Sequence, residues 1–255
     1  PTPGIERFIS QGLGLHLGTS PGLTDGVCAN VLFPSPSAVI DGVIAQTSGI
    51  TRDADPWLAQ RLVWPLLAVL DAALDEPWCE APRHYLAGTR VDRRFAFASR
   101  LAGLFTAYSA QRPDLLLAWA AGHDDVDPDL AWQPQLWRRL REQIGTPSPA
   151  ERLHSACAAV TEDPHLLDLP QRLSIFGTSR LPSKHLQVLG ALGVHRDVHL
   201  WLADASPASW NQLPPPPKTR RRADTSVSTV VHPLLRSLGR DAPELRMRLS
   251  FDTDE

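Results

Sequence analysis

Between residues 57 and 74 (WLAQRLVWPLLAVLDAAL) a leucine recurs at every fourth position: Leu58, Leu62, Leu66, Leu70 and Leu74. Trp57, Val63 and Leu67 widen the stripe. That spacing predicts an amphipathic helix with one face turned to a core. Pro65 lies inside it, without an N–H to donate and with a ring that crowds the preceding turn, so a kink costing about 3 kcal/mol is expected there. Residues 92–111 place Phe97, Leu101, Leu104, Phe105 and Tyr108 on one face. Arg112 closes that helix, because a residue before proline is pushed out of the helical region. Pro113 opens the next helix (PDLLLAWAA), which stops at Gly122, and Pro134 opens another (PQLWRRLREQI) with Gly145 at its end. Ser148-Pro149-Ala150-Glu151 is a capping box that starts a helix to about Val160. Residues 57–161 are thus expected to be nearly all helical.

On either side the pattern changes. Residues 3–17 read as a short amphipathic helix and 19–30 as a loop. Val31-Leu32-Phe33 reads as a brief strand, broken by Pro34-Ser35-Pro36-Ser37, and Ser37 can cap a helix to about Val43. After Leu169, Arg172–Gly177 and Asp197–Leu202 read as buried strands, with a helix from Pro182 to Gly193 between them. Strand, helix and strand in so short a span form a βαβ unit and require a parallel pair. Residues 205–230, with Pro214–Pro217, Lys218 and Arg220–Arg222, have a linker composition, and His232-Pro233 starts a last short helix. The expected fold class is α/β, a parallel sheet interrupted by a long helical insertion. Its parts are residues 1–50, the insertion 51–165, and a return to the α/β part in 166–255.

Composition narrows the function. The 255 residues are 43% hydrophobic, enough for one large domain or two small ones. A net charge of -3 differs from the basic balance of a dedicated nucleic-acid-binding domain, so any DNA contact must come from a local patch. Cys28, Cys79 and Cys157 are widely spaced, contain no C-x-x-C pair, and read as free thiols of a reducing cytoplasm. No apolar run reaches the roughly 18 residues that span a membrane, and no signal peptide is visible. Pro1 stands where a chain would carry methionine, so the sequence is expected to be a piece of a longer protein.

The chemistry-bearing motifs are sparse. There is no G-x-x-x-x-G-K-[ST] phosphate loop and no G-x-S-x-G elbow. Asp124, Asp125, Asp127 and Asp129 have the D-x-D spacing of some metal sites. Pro128 interrupts them, however, and no glycine or terminal glutamate completes a calcium loop, so a solvated loop is the plainer reading. His16, His84, His123 and His154 each stand alone in sequence, and His199 on its strand reads as structural. Three basic groups can track a phosphate backbone or form solvated faces: Arg90, Arg93, Arg94 and Arg100; Arg138, Arg139 and Arg141; Lys218 to Arg222. Trp137 beside Arg138 reads as core packing before it reads as a stacking platform.

Four stretches, in order, resemble the RecC family. Ile9–Leu15 followed by Ala29-Asn30-Val31-Leu32-Phe33-Pro34-Ser35-Pro36 is similar to an apolar helix and "A-N-x-x-F-P-x-P". Arg83-His84-Tyr85-Leu86, Leu104-Phe105-Thr106-Ala107-Tyr108 and Arg112-Pro113-Asp114 resemble "R-H-Y-L … L-F-x-x-Y … R-P-D-W-L". Trp119-Ala120-Ala121-Gly122-His123 with Trp132-Gln133-Pro134-Gln135-Leu136-Trp137 resembles "W-x-x-G-H … W-Q-x-x-L-W". Phe176 to Pro182, Leu186 to Leu192 and Val198-His199-Leu200 resemble "F-x-x-G-I-S-x-L-P … L-x-A-L-G … I-H-L", and His232-Pro233-Leu234-Leu235 a later "H-P-L-L".

The resemblance implies a superfamily 1 helicase-like, P-loop NTPase-like fold that has lost its ATP-binding motifs. It implies a non-catalytic subunit of exodeoxyribonuclease V, a helicase–nuclease of double-strand break repair and homologous recombination. The expected partners are RecB-like and RecD-like subunits and single-stranded and duplex DNA, with no membrane. ATP and Mg²⁺ belong to the partner subunits and no cofactor to this chain. The role implied is guiding the unwound 3′ strand and scanning it for the Chi signal. The DNA-binding residues carried over are Arg7, Ser35, Leu104, Thr106 and Arg112. Leu104 and Arg112 match the family, whereas Arg7, Ser35, Gly103 and Thr106 depart from it. Two other readings stand beside this one. The first is an active superfamily 1 helicase subunit whose phosphate loop lies upstream of Pro1. The second is a protein-interaction scaffold without DNA contact, which the acidic balance favours.

Overall fold

The leucine stripe of residues 58–74 becomes α3 (Ala59–Ala73), and Leu62, Val63, Leu66, Val69, Leu70 and Ala73 are buried along it. The computed structural model describes residues 3–23, 26–87, 93–178 and 181–202. These fall into two units. One combines Ser37–Gln171 with Pro182–Arg196, and the other the described parts of 1–36, Arg172–Leu181 and 197–202. The fold is mostly helical, with one small parallel sheet of two strands among the described residues.

The helical unit follows from the apolar pattern. Its elements are α2 (Pro36–Ser48), α3, α4 (Glu80–Ala87), α5 (Arg94–Gln111), α6 (Pro113–Ala120), α7 (Trp132–Ile144), α8 (Pro149–Glu162) and α9 (Ser183–Gly193). Helix α3 packs on α5 and α7, α6 on α7 and α8, and α9 on α8 and α5. Buried Ala98 and Ala102 on α5 leave room for the leucines of α3. Trp137 sits in the middle, fully buried, with ring centroids 5.1 Å from Trp57 and 5.3 Å from Phe105. Its indole N–H donates to Leu116 O at 3.1 Å, so burial leaves no polar atom of this side chain unpaired. Core packing is therefore the role of Trp137.

Helix ends obey the local signals. Arg112 leaves the helical region at φ -141°, ψ 55°, ahead of Pro113. Gly145 adopts φ 69°, where a Cβ would be strained, and its N–H reaches Arg141 O. Ser148 N–H donates to Glu151 Oε2 at 2.7 Å and Glu151 N–H to Ser148 Oγ at 3.4 Å, which is the expected capping box. Pro65 is truly interior to α3, yet the residues on both sides remain helical. The buried face around it offsets the missing hydrogen bond. Some boundaries differ from expectation. Helix α7 starts two residues before Pro134, and α2 continues to Ser48.

In the second unit, α1 (Pro3–Gly14) is amphipathic as expected but buries none of its residues. It ends at Gly14, and Val27 N–H returns to Leu17 O at 2.9 Å. A Cβ on Gly26 would lie 2.3 Å from Gly14 O, so only glycine lets the chain come back this closely. Val31–Phe33 is not a strand, because no described segment pairs with it. Strands β1 (Arg172–Phe176) and β2 (Asp197–Trp201) pair in parallel, Arg172 with Asp197 through Phe176 with Trp201, and α9 lies between them in sequence. The expectation that both strands are buried is overturned. Leu173, Ile175, Val198 and Leu200 are half-buried and the alternating residues are exposed. The pleat sends successive side chains to opposite faces, so an apolar run does not place every residue inside. The linker and the helix at His232 lie outside the described residues, as do Arg90 and the Ser179-Arg180 part of the fourth motif.

Candidate nucleic-acid interface

The five carried-over residues are distributed over both units. Arg7 lies exposed on α1, and Ser35 lies exposed just before α2. Leu104 and Thr106 are on α5, and Arg112 is the residue between α5 and α6. Two residues on a helix turn through about 200°, so Leu104 and Thr106 point to different sides. Leu104 packs against the hydrophobic core, while Thr106 donates to Ala102 O at 2.8 Å and lines a cavity. Arg112 is exposed, and its charge draws down the Tyr108 phenol, whose pKa is nonetheless raised by burial.

Of the basic groups, the one on α7 is spoken for. Arg138 forms a double bridge to Asp124 at 2.6 and 2.7 Å and also donates to Trp119 O at 2.8 Å. Those hydrogen bonds hold the Asp124 carboxyl below its usual range despite some burial. Arg139 pairs with Glu76 at 3.3 Å, and Arg141 with Glu151. Asp124 is thus a counter-ion, and no group of acidic, histidine and cysteine side chains among the described residues has a metal-holding arrangement. Cys79 is buried and Cys28 and Cys157 half-buried, all free, and burial pushes the Cys157 thiol up to about 11. His199 lies on β2 as expected, with its side chain exposed beside Trp201 and ring centroids 6.3 Å apart.

The helical unit contains a cavity of about 240 Å³ among α2, α3, α5, α7, α8, α9 and the segment before α3. One side is apolar: Ile44, Ile50, Leu58, Leu62, Phe105 and Trp57. The charged lining is Arg52, Arg152 and Lys184 against Asp41 and Asp55, three cations and two carboxylates, a net of one positive charge. Lys184 Nζ lies 2.6 Å from Asp41 Oδ1, and Arg152 Nη2 lies 2.7 Å from Asp55 Oδ2. Asp55 is fixed in turn by the Trp57 N–H at 3.0 Å, and Arg61 holds the carbonyls of Asp53 and Asp55 at 2.6 and 3.2 Å. Arg52 sits on the turn so formed, exposed, with no ion partner among the described residues.

Arg152 is the unusual member. It is only 6% exposed, yet one of its three donor nitrogens is bound by protein. Its Nε is buried without a partner, its Nη1 donates to no group among the described residues, and the residue lines the cavity. The sequence reading passed over Arg152, Arg52, Lys184, Asp41 and Asp55. A signal for Arg152 was present: it lies four and eight residues before Ala156 and Val160, on the stripe that α8 buries. A charge on such a stripe needs a partner. Asp55, nearly a hundred residues earlier, could not be identified as that partner from spacing.

Against known proteins, the whole chain, residues 1–255, matches the family described as RecC, N-terminal domain. It is 45% identical over 260 residues to "RecBCD enzyme subunit RecC" of Mycobacterium tuberculosis (strain CDC 1551 / Oshkosh), covering 96% of this chain and 23% of that protein. It is 44% identical to the protein of that name from Mycolicibacterium smegmatis, over all of this chain and 23% of the relative. Identity to that of Escherichia coli (strain K12) is 31%, over 75% of this chain and 18% of the relative. The chain therefore spans about a quarter of the length of the curated relatives it matches.

Proposed function

Because the chain belongs to the RecC N-terminal domain family, we propose that it is part of a non-catalytic subunit of a RecBCD-type helicase–nuclease, exodeoxyribonuclease V. In this reading it guides the unwound 3′-ended strand and scans it for Chi during double-strand break repair and recombination. RecB-like and RecD-like subunits are its partners and carry the ATP and Mg²⁺ chemistry. The observation that carries the reading is the family match over residues 1–255, with relatives all named as RecBCD subunits. A superfamily 1 helicase-like body formed by 1–50 and 166–255, with 51–165 as an insertion, accords with the parallel pairing of β1 and β2 across α9.

The net positive cavity beside Thr106 and the exposed Arg112 support a DNA-guiding role over a pure scaffold. Local cations can hold a strand even where the whole chain is acidic. Arg138, locked by Asp124, is not counted among the DNA contacts. The test is Arg112→Glu in the assembled complex. Weaker, salt-sensitive binding of single strands and a changed response to Chi are expected, with ATP hydrolysis by the motors retained. Unchanged strand binding and processing would overturn the guiding role, and ATP hydrolysis by the full-length protein alone would overturn the non-catalytic one.

A further inference from the structure

Helix α3 is apolar on two faces. Its inner face carries the buried Leu62, Val63, Leu66, Val69 and Leu70. Its outer face carries Trp64, Ala68 and Ala72, spaced one turn apart and all exposed. No polar side chain stands between Arg61 and Asp71. A helix that is apolar all round is normally covered all round, so the outer face has the composition of a contact surface. Phe95, in the first turn of α5, joins it. Its ring centroid lies 6.1 Å from that of Trp64, and the two planes are tilted by 58°. Trp64 is 67% exposed and Phe95 56%, which leaves roughly 300 Å² of aromatic surface in water. That is the size of the largest apolar patch on a typical monomer, and such patches are often functional.

The charge around the two rings specifies what covers them. Arg93 and Arg94 stand at the N-terminus of α5, with no acidic residue in its first turn, so two cations sit at the positive end of the helix dipole. Asp71 neutralises Arg94 at 2.9 Å, whereas Arg93 is exposed and has no ion partner among the described residues. Arg61, one turn before Trp64, binds the backbone carbonyls of Asp53 and Asp55 and keeps its charge. This face is therefore locally positive in a chain of net charge -3. We propose that Trp64 and Phe95 form a notch that anchors an acidic segment of a partner subunit. An apolar side chain of that segment seats between the rings, and its carboxylates meet Arg61 and Arg93. Ala68 and Ala72 let its backbone approach α3 closely. The inference rests on the subunit reading above and adds a surface by which the subunit is held. The tilt favours a protein side chain over DNA, because successive bases stack on parallel ring faces and these two rings form an angle. At roughly 300 Å² against about 800 Å² per partner in a standard interface, the notch is the hot spot of a larger contact.

The experiment uses the full-length protein and measures its affinity for each motor subunit separately, at low and high salt. Trp64→Ser and Phe95→Ser are each expected to weaken binding of one motor subunit roughly thirtyfold, as truncation of an aromatic anchor does. Arg93→Glu should slow association with that same subunit about tenfold at low salt and less at high salt. The melting temperature of the full-length protein alone should stay in place, because all three side chains lie at the surface. Where a serine variant also melts lower, Arg93→Glu decides. Unchanged affinity for both motor subunits overturns the proposal. Loss of oligonucleotide binding with subunit affinity unchanged overturns it by assigning the face to DNA. A lower melting temperature with subunit affinity unchanged overturns it by assigning the face to the remainder of the same protein. If the unmodified protein binds neither motor subunit, the subunit reading itself fails.

Discussion

The helical unit and the two-stranded unit use tryptophan in opposite ways. Trp137 is fully buried, clasped by Trp57 and Phe105, with its N–H satisfied inside. Trp201, at the end of β2, is 56% exposed beside His199. Both are expected from the sequence to be interior. The difference comes from geometry. A helix among helices presents its stripe to several neighbours, whereas a strand alternates, and every second side chain leaves the buried face. A buried tryptophan therefore carries stability in the first unit, while in the second the aromatic side chains remain available surface.

That contrast can be broken at several points. The largest effect is expected for Trp137→Ala, at about 4 kcal/mol, because a core aromatic leaves a cavity among its neighbours. Urea denaturation measures it, and a loss under about 1 kcal/mol would mean that the core tolerates collapse at its centre. Asp55→Ala comes next, at roughly 3 kcal/mol, since it strands the Arg152 charge in a buried site. Partial restoration by the double variant Asp55→Leu/Arg152→Met would confirm that the uncompensated charge is the cause. Ser148→Ala should cost about 1 kcal/mol by removing half of the capping box.

The fourth prediction concerns pH. His185 on α9 is 7% exposed, and burial lowers its pKa, with Lys184 acting in the same direction and Asp41 against it. Its folded pKa thus lies below the unfolded value of about 6.5, so the unfolded chain binds more protons. The contribution of His185 is fully present above pH about 6.5 and is lost as the pH falls below it. Denaturation midpoints at pH 7.5 and 5.5 should differ more for the natural chain than for His185→Leu; an equal drop in both would assign the acid limb to other groups. The smallest effect, within about 0.5 kcal/mol, is expected for Trp201→Ala, as for other surface changes. A large loss there would mean that the exposed aromatic face of β2 carries structural weight.

Local signals were legible wherever the chain itself supplies the partner. The capping box at Ser148 and Glu151, the stop at Arg112 before Pro113 and the left-handed Gly145 are each decided within a few residues. The parallel pairing of β1 and β2 was legible too, because a connection containing a helix leaves no tight hairpin available. The candidate site was much less so. Thr106 came from a family resemblance, and it lines the cavity. Its companions Arg52, Asp55, Arg152 and Lys184 come from three separate segments, and no spacing rule connects those segments. The basic run on α7 gave the opposite error, since adjacent arginines suggested a phosphate track and each turned out to have an acidic partner.

The sequence by itself determined the helices, those of their ends that carry a cap or proline signal, the order of strand, helix and strand, and the family to which the chain belongs. All of these depend on contacts between near neighbours or on the order of motifs. Only the tertiary structure decided which charges are spent on one another and which remain open. Asp124 claims Arg138 from 14 positions away, and Asp55 claims Nη2 of Arg152 from 97 positions away, leaving its buried Nε without a partner. Ion pairing depends on distance in space and on burial, and neither is written in the spacing of residues along the chain.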